Sequence, residues 1–169
     1  MPLTLRVWRF TDGRAGHEKQ SSGLVQGLRE SLPETAGAGS SIECRDIPVA
    51  EFLRDPSQLW QDSGAAPDLL IGAGRRTHLL MARVRWHLGS RTVCLMRSTL
   101  PRFCYDLALV PEHDWLWSER KVLRTLGALG PSIAGAPSAE CGLILLGGEN
   151  DHFYWSDEEV CASVSAIVA

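Results

Sequence analysis

The sequence predicts an α/β domain with a parallel sheet that carries helices on both faces. Short β-rich or apolar runs recur along the chain, and segments with apolar residues at helical spacing lie between them. Several of these runs end in glycines directly before a helix start. Short, continuous apolar strands are typical of a sheet that is covered on both sides. We therefore expect a Rossmann-like fold.

Five segments are predicted to form strands of this sheet. The first, Leu5–Phe10, is expected near the centre, because right-handed crossovers place later strands on either side of it. The other four are Ser41–Ile47, Asp68–Ile71, Thr92–Met96 and Leu107–Val110.

Two longer segments between the strands are predicted to be helices. Glu18–Leu32 and Thr77–Leu88 both carry apolar residues at helical spacing. In the second helix the apolar face consists of Leu80, Met81, Val84 and Leu88. Val49–Trp60 is predicted to hold one or two short helical turns.

The composition predicts one domain and the opening of a second. Residues 1–129 form the expected Rossmann-like domain, and residues 130–139, GPSIAGAPSA, have the composition of a linker. Residues 140–169 are predicted to contribute the first strand and helix of a domain that continues beyond this chain. The alternative is a last strand and helix that complete the first sheet.

Within residues 140–169, Leu143–Leu146 is the predicted strand and the helix is expected to start at Ser156. A capping-box pattern closes on Glu159. The apolar stripe of this helix consists of Val160, Val164, Ile167 and Val168.

Overall composition excludes several classes of protein. With 44% hydrophobic and 22% charged residues, the chain can form a packed core and is not disordered. Its N-terminal apolar run is interrupted by Arg6 and Arg9, which argues against a signal segment, so a cytoplasmic location is expected. The five cysteines form no CxxC pair, which argues against disulfides and against a metal site.

Charge is distributed unevenly along the chain. A formal net charge of −3 argues against nucleic acid as a partner. A central segment without acidic residues nevertheless carries seven arginines: Arg75, Arg76, Arg83, Arg85, Arg91, Arg97 and Arg102. A GC-rich genome would favour arginine everywhere, whereas a local anion site would explain the cluster. The bias alone leaves both explanations open.

Three loops share the order strand, glycines, helix start. They are Thr11–His17, Gly72–Arg76 and Gly147–His152. Glycine allows close approach of a ligand, and the helix N-terminus behind it offers unpaired N–H groups. Such loops at the carboxyl ends of strands are typical anion sites. None matches the dinucleotide or P-loop pattern, so no cofactor is predicted.

The predicted ligand-binding residues lie mainly in these loops. His17 is the candidate general base, since histidine titrates near neutral pH, and Asp12 is its candidate catalytic neighbour. The expected phosphate- or ligand-binding residues are Gly13, Arg14, Gly16, Gly72, Gly74, Arg75, Arg76, Thr77, Arg97, Glu112, His113, Gly147 and Gly148. The acids Glu149 and Asp151 in the third loop oppose phosphate binding there. His78 and His87 fall within a helical pattern and are predicted to be structural.

Five ordered blocks of this sequence resemble a known family. WRFTDGRAGHEKQSSGL, LLIGAGRRTH, VCLMRSTLPRFCYDLALVPEHD, VLRTLGAL and LILLGGENDHFYW are similar to the bacterial relatives of the plant "elongated mitochondria" fission protein. That family looks like the GT-B glycosyltransferases, with two Rossmann-like domains across a cleft. The Gly13-x-x-Gly16-His17 turn is similar, more weakly, to the first glycine loop of the MurG-type transferase. Arg97 departs from the lysine expected in its block.

The resemblance implies a nucleotide-sugar as substrate and a phosphate-bearing acceptor. This chain would be mainly the acceptor-side domain, and alone it would be inactive because most of the donor site lies in the other half. Two alternatives remain: a non-catalytic interaction protein at a membrane or division assembly, and a nucleotide-binding regulator. Peripheral contact with the inner membrane and self-association are further expectations.

Overall fold

The computed structural model describes residues 2–57, 66–98, 100–114, 120–132, 142, 144–147 and 154–168. It divides into two compact units, Met1–Ile133 and Ala134–Ala169. The predicted domain boundaries at residues 129 and 140 remain predictions, and residues 133–139 of the predicted linker lie outside the described residues.

The first unit contains a six-stranded sheet in which every neighbouring pair is parallel. The strands are β1 (Thr4–Thr11), β2 (Ser41–Pro48), β3 (Leu69–Ala73), β4 (Arg91–Leu95), β5 (Leu107–Pro111) and β6 (Val122–Thr125). Their order is β2-β1-β3-β4-β5-β6. The predicted Rossmann-like α/β fold is confirmed, and all five predicted strands are present.

Helices α1 (Ala15–Ala36), α2 (Val49–Arg54) and α3 (Arg75–Leu88) pack beside the sheet. Both long helices begin earlier than the apolar pattern indicated. As a result His17 lies in the first turn of α1, and Arg75 and Arg76 open α3. The apolar spacing marks only the part of a helix that faces the core, so polar first turns escape it.

Two cores lie on opposite faces of the sheet. On one face α2 and α3 bury Phe52, Met81 and Val84 against strand residues that include Phe10 and Leu70. On the other face α1 packs its apolar side on a second group of strand residues: Val7, Ile71, Ala73, Leu95 and Leu109. Adjacent strand residues alternate between the two cores, as period-two geometry requires.

β1 is closer to the edge of the sheet than predicted. It is flanked by β2 and β3, but β3 and β4 form the central pair, because every later strand adds on the β3 side. β2 lies on one side of β1 and β3 on the other, so the strand order reverses between β2 and β3. No helix in the described ranges is both long and apolar enough to cross a bilayer.

The second unit contains helix α4, Asp157–Val168. The amide of Glu159 donates to Ser156 Oγ at 3.4 Å, which places Ser156 at the predicted N-cap. The predicted strand is not present at Ile144–Leu146, whose side chains are exposed; Leu143 lies outside the described residues. A strand needs a neighbour for its backbone N–H and C=O groups, and none of the described residues supplies one here. Ile144 and Leu146 instead line a small cavity of about 260 Å³ with the apolar side of α4.

Candidate functional site

The first two glycine loops meet at the carboxyl edge of the sheet. β1 and β3 pair directly, with Phe10 opposite Gly72, so the loops that follow these strands are neighbours. The sheet order reverses at this point, and open α/β sheets bind ligands at such switch points. The structure thus brings Asp12–His17 and Gly72–Arg76 together.

The side chains of Asp12 and Glu18 accept hydrogen bonds from backbone amides of the first loop. Gly13 has a φ of 80°, a left-handed conformation that glycine adopts without strain. Its amide donates to Glu18 Oε1 at 3.1 Å, and the amide of Arg14 donates to Asp12 Oδ1 at 3.2 Å. Both carboxylates therefore hold backbone donors. Arg14 itself precedes α1 and is exposed.

His17 and Asp12 form a hydrogen-bonded pair. His17 Nδ1 lies 2.9 Å from Asp12 Oδ2, and the two side chains are 16% and 3% exposed. When Nδ1–H donates to the carboxylate, the other ring nitrogen, Nε2, carries the lone pair. This is the geometry of a general base that a carboxylate orients.

Gly74 fixes the other side of the His17 ring. A Cβ atom at Gly74 would lie 2.5 Å from His17 Cε1 and 2.8 Å from Nδ1, and the φ of Gly74 is 84°. Both the backbone conformation and the close approach therefore require glycine. The β3 loop positions the candidate base of the β1 loop.

Gly72 and Thr77 shape the second loop through contacts between β3 and α3. A Cβ atom at Gly72 would lie 2.7 Å from both Thr77 Oγ1 and Met81 Sδ, so glycine allows α3 to pack closely on β3. The Thr77 hydroxyl is buried and donates to the carbonyls of Ala73 and Gly74, each at 2.9 Å. These contacts give the loop its shape.

His78 connects α3 to β4. Its side chain is fully buried and Nε2 lies 3.0 Å from the carbonyl of Leu95. Burial lowers the pKa of His78, and the carbonyls of Leu95 and Gly72 oppose this effect only in part. A neutral, packed histidine agrees with the structural role predicted for it.

An open cleft of about 810 Å³ lies beside the two loops. Its walls are mostly apolar and come from α2 and α3: Val49, Ala50, Leu53, Leu79 and Leu80. Leu53 and Leu79 are 63% and 50% exposed. Neither was predicted as a site residue. Leu79 lies outside the predicted apolar face of its helix, and no apolar face was predicted for the segment that contains Leu53.

The charged groups at the cleft are Asp12, Glu18 and Arg76. Both acids are engaged in the first loop, as described above. Within the described part of the chain, neither Arg75 nor Arg76 forms an ion pair. Cations in the first turn of a helix oppose its dipole, so helix stability does not explain this arginine pair. An anion bound at this end of the cleft would explain it.

Of the predicted site residues, Asp12, Gly13 and Arg76 line this cleft, whereas His17 and Arg75 are not part of its wall. The following candidates lie elsewhere. Arg97 follows β4 and borders a separate cavity of about 200 Å³. Glu112 and His113 form an exposed turn after β5. Gly16 is exposed in the first turn of α1, with open space where a Cβ atom would lie. Gly147 is exposed in the second unit, and Gly148 lies outside the described residues.

Comparison with known proteins identifies the family. The family model described as mitochondrial fission ELM1 matches residues 15–169. The match includes His17 and the Gly72–Arg76 loop and starts just after Asp12–Arg14. Neither the curated proteins nor the solved structures gave a match. The match spans most of the chain and agrees with the resemblance carried by the five sequence blocks. The chain therefore belongs to the mitochondrial fission ELM1 family.

Proposed function

We propose that this chain is the acceptor-side part of a GT-B-type glycosyltransferase that uses a nucleotide-sugar donor. The observation that carries the proposal is the His17–Asp12 pair, 2.9 Å apart, in which Asp12 belongs to the wall of a large cleft at the switch point of a parallel sheet. A buried carboxylate that orients a histidine is a common way to prepare a base for a hydroxyl.

In the proposed reaction, His17 Nε2 takes the proton of an acceptor hydroxyl. The hydroxyl oxygen forms a bond to the anomeric carbon of the donor sugar, and the bond from that carbon to the diphosphate breaks. The nucleoside diphosphate leaves with the electron pair. Asp12 stabilises the imidazolium that forms, and Arg75 and Arg76 are available for phosphate charge.

A non-catalytic binding role is the second candidate. The family match favours it, since the family is described by mitochondrial fission and not by a reaction. In this role the cleft and the arginine pair would bind an anionic partner without turnover.

The test measures consumption of nucleotide-sugars by the product of the complete open reading frame. The proposed reaction requires a donor-binding half, which would have to be part of that protein. His17→Ala should lower turnover by at least about 100-fold, the usual contribution of a general base. Asp12→Asn should also lower turnover while the protein remains folded.

His87→Ala is the matched control, because His87 lies in the last turn of α3, away from the loops. It should retain turnover. Full activity of His17→Ala would contradict the catalytic proposal. Nucleotide-sugar binding without turnover in the unchanged protein would favour the second candidate.

A further inference from the structure

The cleft is more apolar than a sugar or a nucleotide alone requires. Leu53 on α2 and Leu79 on α3 leave 63% and 50% of their surfaces exposed, and both border the cleft. Leu80 and Val49 are mostly buried and also reach its wall. A hydroxyl-rich ligand would leave this wall without apolar partners, whereas a hydrocarbon chain would cover it.

Polar groups are concentrated at one end of the cleft. Thr11, Asp12 and Gly13 come from the β1 loop, and Arg76 opens α3. The carboxylate of Asp12 holds His17 and the Arg14 amide, and Glu18 holds the Gly13 amide. Arg76 is the positively charged residue among those described in the wall of the cleft, so its guanidinium is the group there that can bind an anion.

We propose that the cleft binds an anionic amphiphile as the acceptor. Its hydrocarbon chain lies on Leu53 and Leu79, and its phosphate lies at Arg76. Its head group then lies near Asp12, the residue of the cleft wall that pairs with His17. The assignment of the ligand as an acceptor rests on the proposed function, but its binding can be measured without turnover. The charge and the apolar wall together define the ligand class.

The binding test uses alkyl phosphates below their micelle concentrations, measured by calorimetry with the 169-residue chain. Each methylene that leaves water for an apolar wall is expected to tighten binding by up to about fourfold. Dodecyl phosphate should therefore bind at least about tenfold tighter than octyl phosphate. Inorganic phosphate should bind weakly, and so should dodecyl maltoside, which lacks the anion.

Variants of exposed side chains test the contacts of the hydrocarbon chain and those of the phosphate separately. Leu53→Gln and Leu79→Gln should each weaken dodecyl phosphate binding by about fivefold to tenfold and leave inorganic phosphate unchanged. Arg76→Gln should weaken both alkyl phosphates by about tenfold and leave dodecyl maltoside unchanged. Thermal unfolding of each variant checks that it remains folded.

Two control variants lie on the same helix but outside the cleft. Trp86→Gln removes a side chain that is 75% exposed, and Arg83→Gln removes an exposed cation. Each should change binding by less than about twofold. Equal affinity for octyl and dodecyl phosphate, or equal losses in Trp86→Gln and Leu79→Gln, would overturn the proposal. Binding to phosphatidylglycerol vesicles without binding of monomeric dodecyl phosphate would also overturn it.

This test and the test of glycosyl transfer can fail separately. Tight, leucine-dependent binding of dodecyl phosphate without any turnover would leave a binding site and remove the catalytic proposal. Turnover that depends on His17 but is unchanged in Leu53→Gln and Leu79→Gln would support the catalytic proposal. It would contradict the proposal that the acceptor is an amphiphile.

Discussion

His17 is held between two residues that belong to different loops. Asp12 bonds its Nδ1 atom from the β1 side, and Gly74 gives its ring room on the β3 side. A side chain at position 74 would push the imidazole away from this place. The position of the candidate base therefore depends on a glycine that is distant in sequence.

Replacing Gly74 by alanine should cost more stability than the same change at a comparable glycine without a neighbour. Gly74 has φ 84° and ψ 160°, and Gly37 has φ 101° and ψ 152° with nothing within 4 Å of its Cβ position. Alanine in this backbone region costs about 1–3 kcal/mol at either site. Gly74→Ala must also displace His17, which adds about 1 kcal/mol or more. Urea unfolding of both variants measures the difference.

The His17→Ala background isolates the steric part of this loss. In that background Gly74→Ala should cost about as much as Gly37→Ala, since the imidazole is no longer there. If Gly74→Ala and Gly37→Ala lose equal stability in the unchanged chain, the contact does not constrain His17.

The sequence proposes Asp12, His17 and Arg76 as site residues but does not specify the contacts among them. Asp12, His17 and Arg76 stand out because glycines and a helix start surround them. Their proximity depends on the pairing of β1 with β3, which no local pattern specifies. The exposed Leu53 and Leu79 were missed because apolar residues off a core face are common on protein surfaces.

At the scale of elements, Asp106 connects α3 to the start of β5. Arg85 on α3 donates to its carboxylate, as do Arg91 and the amide of Thr92, the last at 2.9 Å. Burial alone would raise the pKa of Asp106. The hydrogen bonds from Arg85, the Thr92 amide and Arg91 outweigh it and lower the pKa to about 2.

Asp106 should make the stability of the first unit depend on acidity. Its folded pKa, about 2, lies below the ordinary value of 3.8, so the unfolded chain binds more protons between these values. The contribution is complete above about pH 4 and is lost as the pH falls toward 2. Asp106→Asn should lower the free energy of unfolding at pH 7 by about 1–2 kcal/mol. The variant should also lose less stability than the unchanged chain as the pH falls toward 2.

The measurement is chemical unfolding at a series of pH values, followed by circular dichroism. Asp114→Asn is the control, because Asp114 lies in an exposed turn, and it should leave stability at pH 7 unchanged. An acid profile of Asp106→Asn that coincides with the unchanged chain would show that another group causes the loss.

Among the strands that the sequence predicted, β3, β4 and β5 are mostly buried, whereas β2 has a single buried residue. β6 escaped prediction because Val122–Thr125 has two exposed residues between two half-buried ones and lies at the edge of the sheet. Leu143–Leu146 was predicted as a strand for the opposite reason: it is apolar throughout. Apolar character makes a strand only where a neighbouring strand accepts its hydrogen bonds.

At the scale of the whole molecule, the two units differ in how much apolar surface they bury. The first unit encloses two cores around its sheet. In the second unit no residue of α4 is buried, and Ile167 and Val168 are 69% and 72% exposed. Leu145 and Tyr154 are also largely exposed. Exposed apolar side chains of this kind favour association.

The 169-residue chain should therefore self-associate through the second unit. Burying one such side chain completely contributes about 1.5–3 kcal/mol, so pairing several of them between copies can stabilise a dimer. A chain that ends at Ala136 lacks this surface and should be monomeric. The double variant Ile167→Gln/Val168→Gln retains the full length and should also weaken association. Size-exclusion chromatography with light scattering over a range of concentrations compares the three proteins. A monodisperse, monomeric 169-residue chain would contradict the prediction, because the exposed side chains of α4 would then be tolerated in water without a partner.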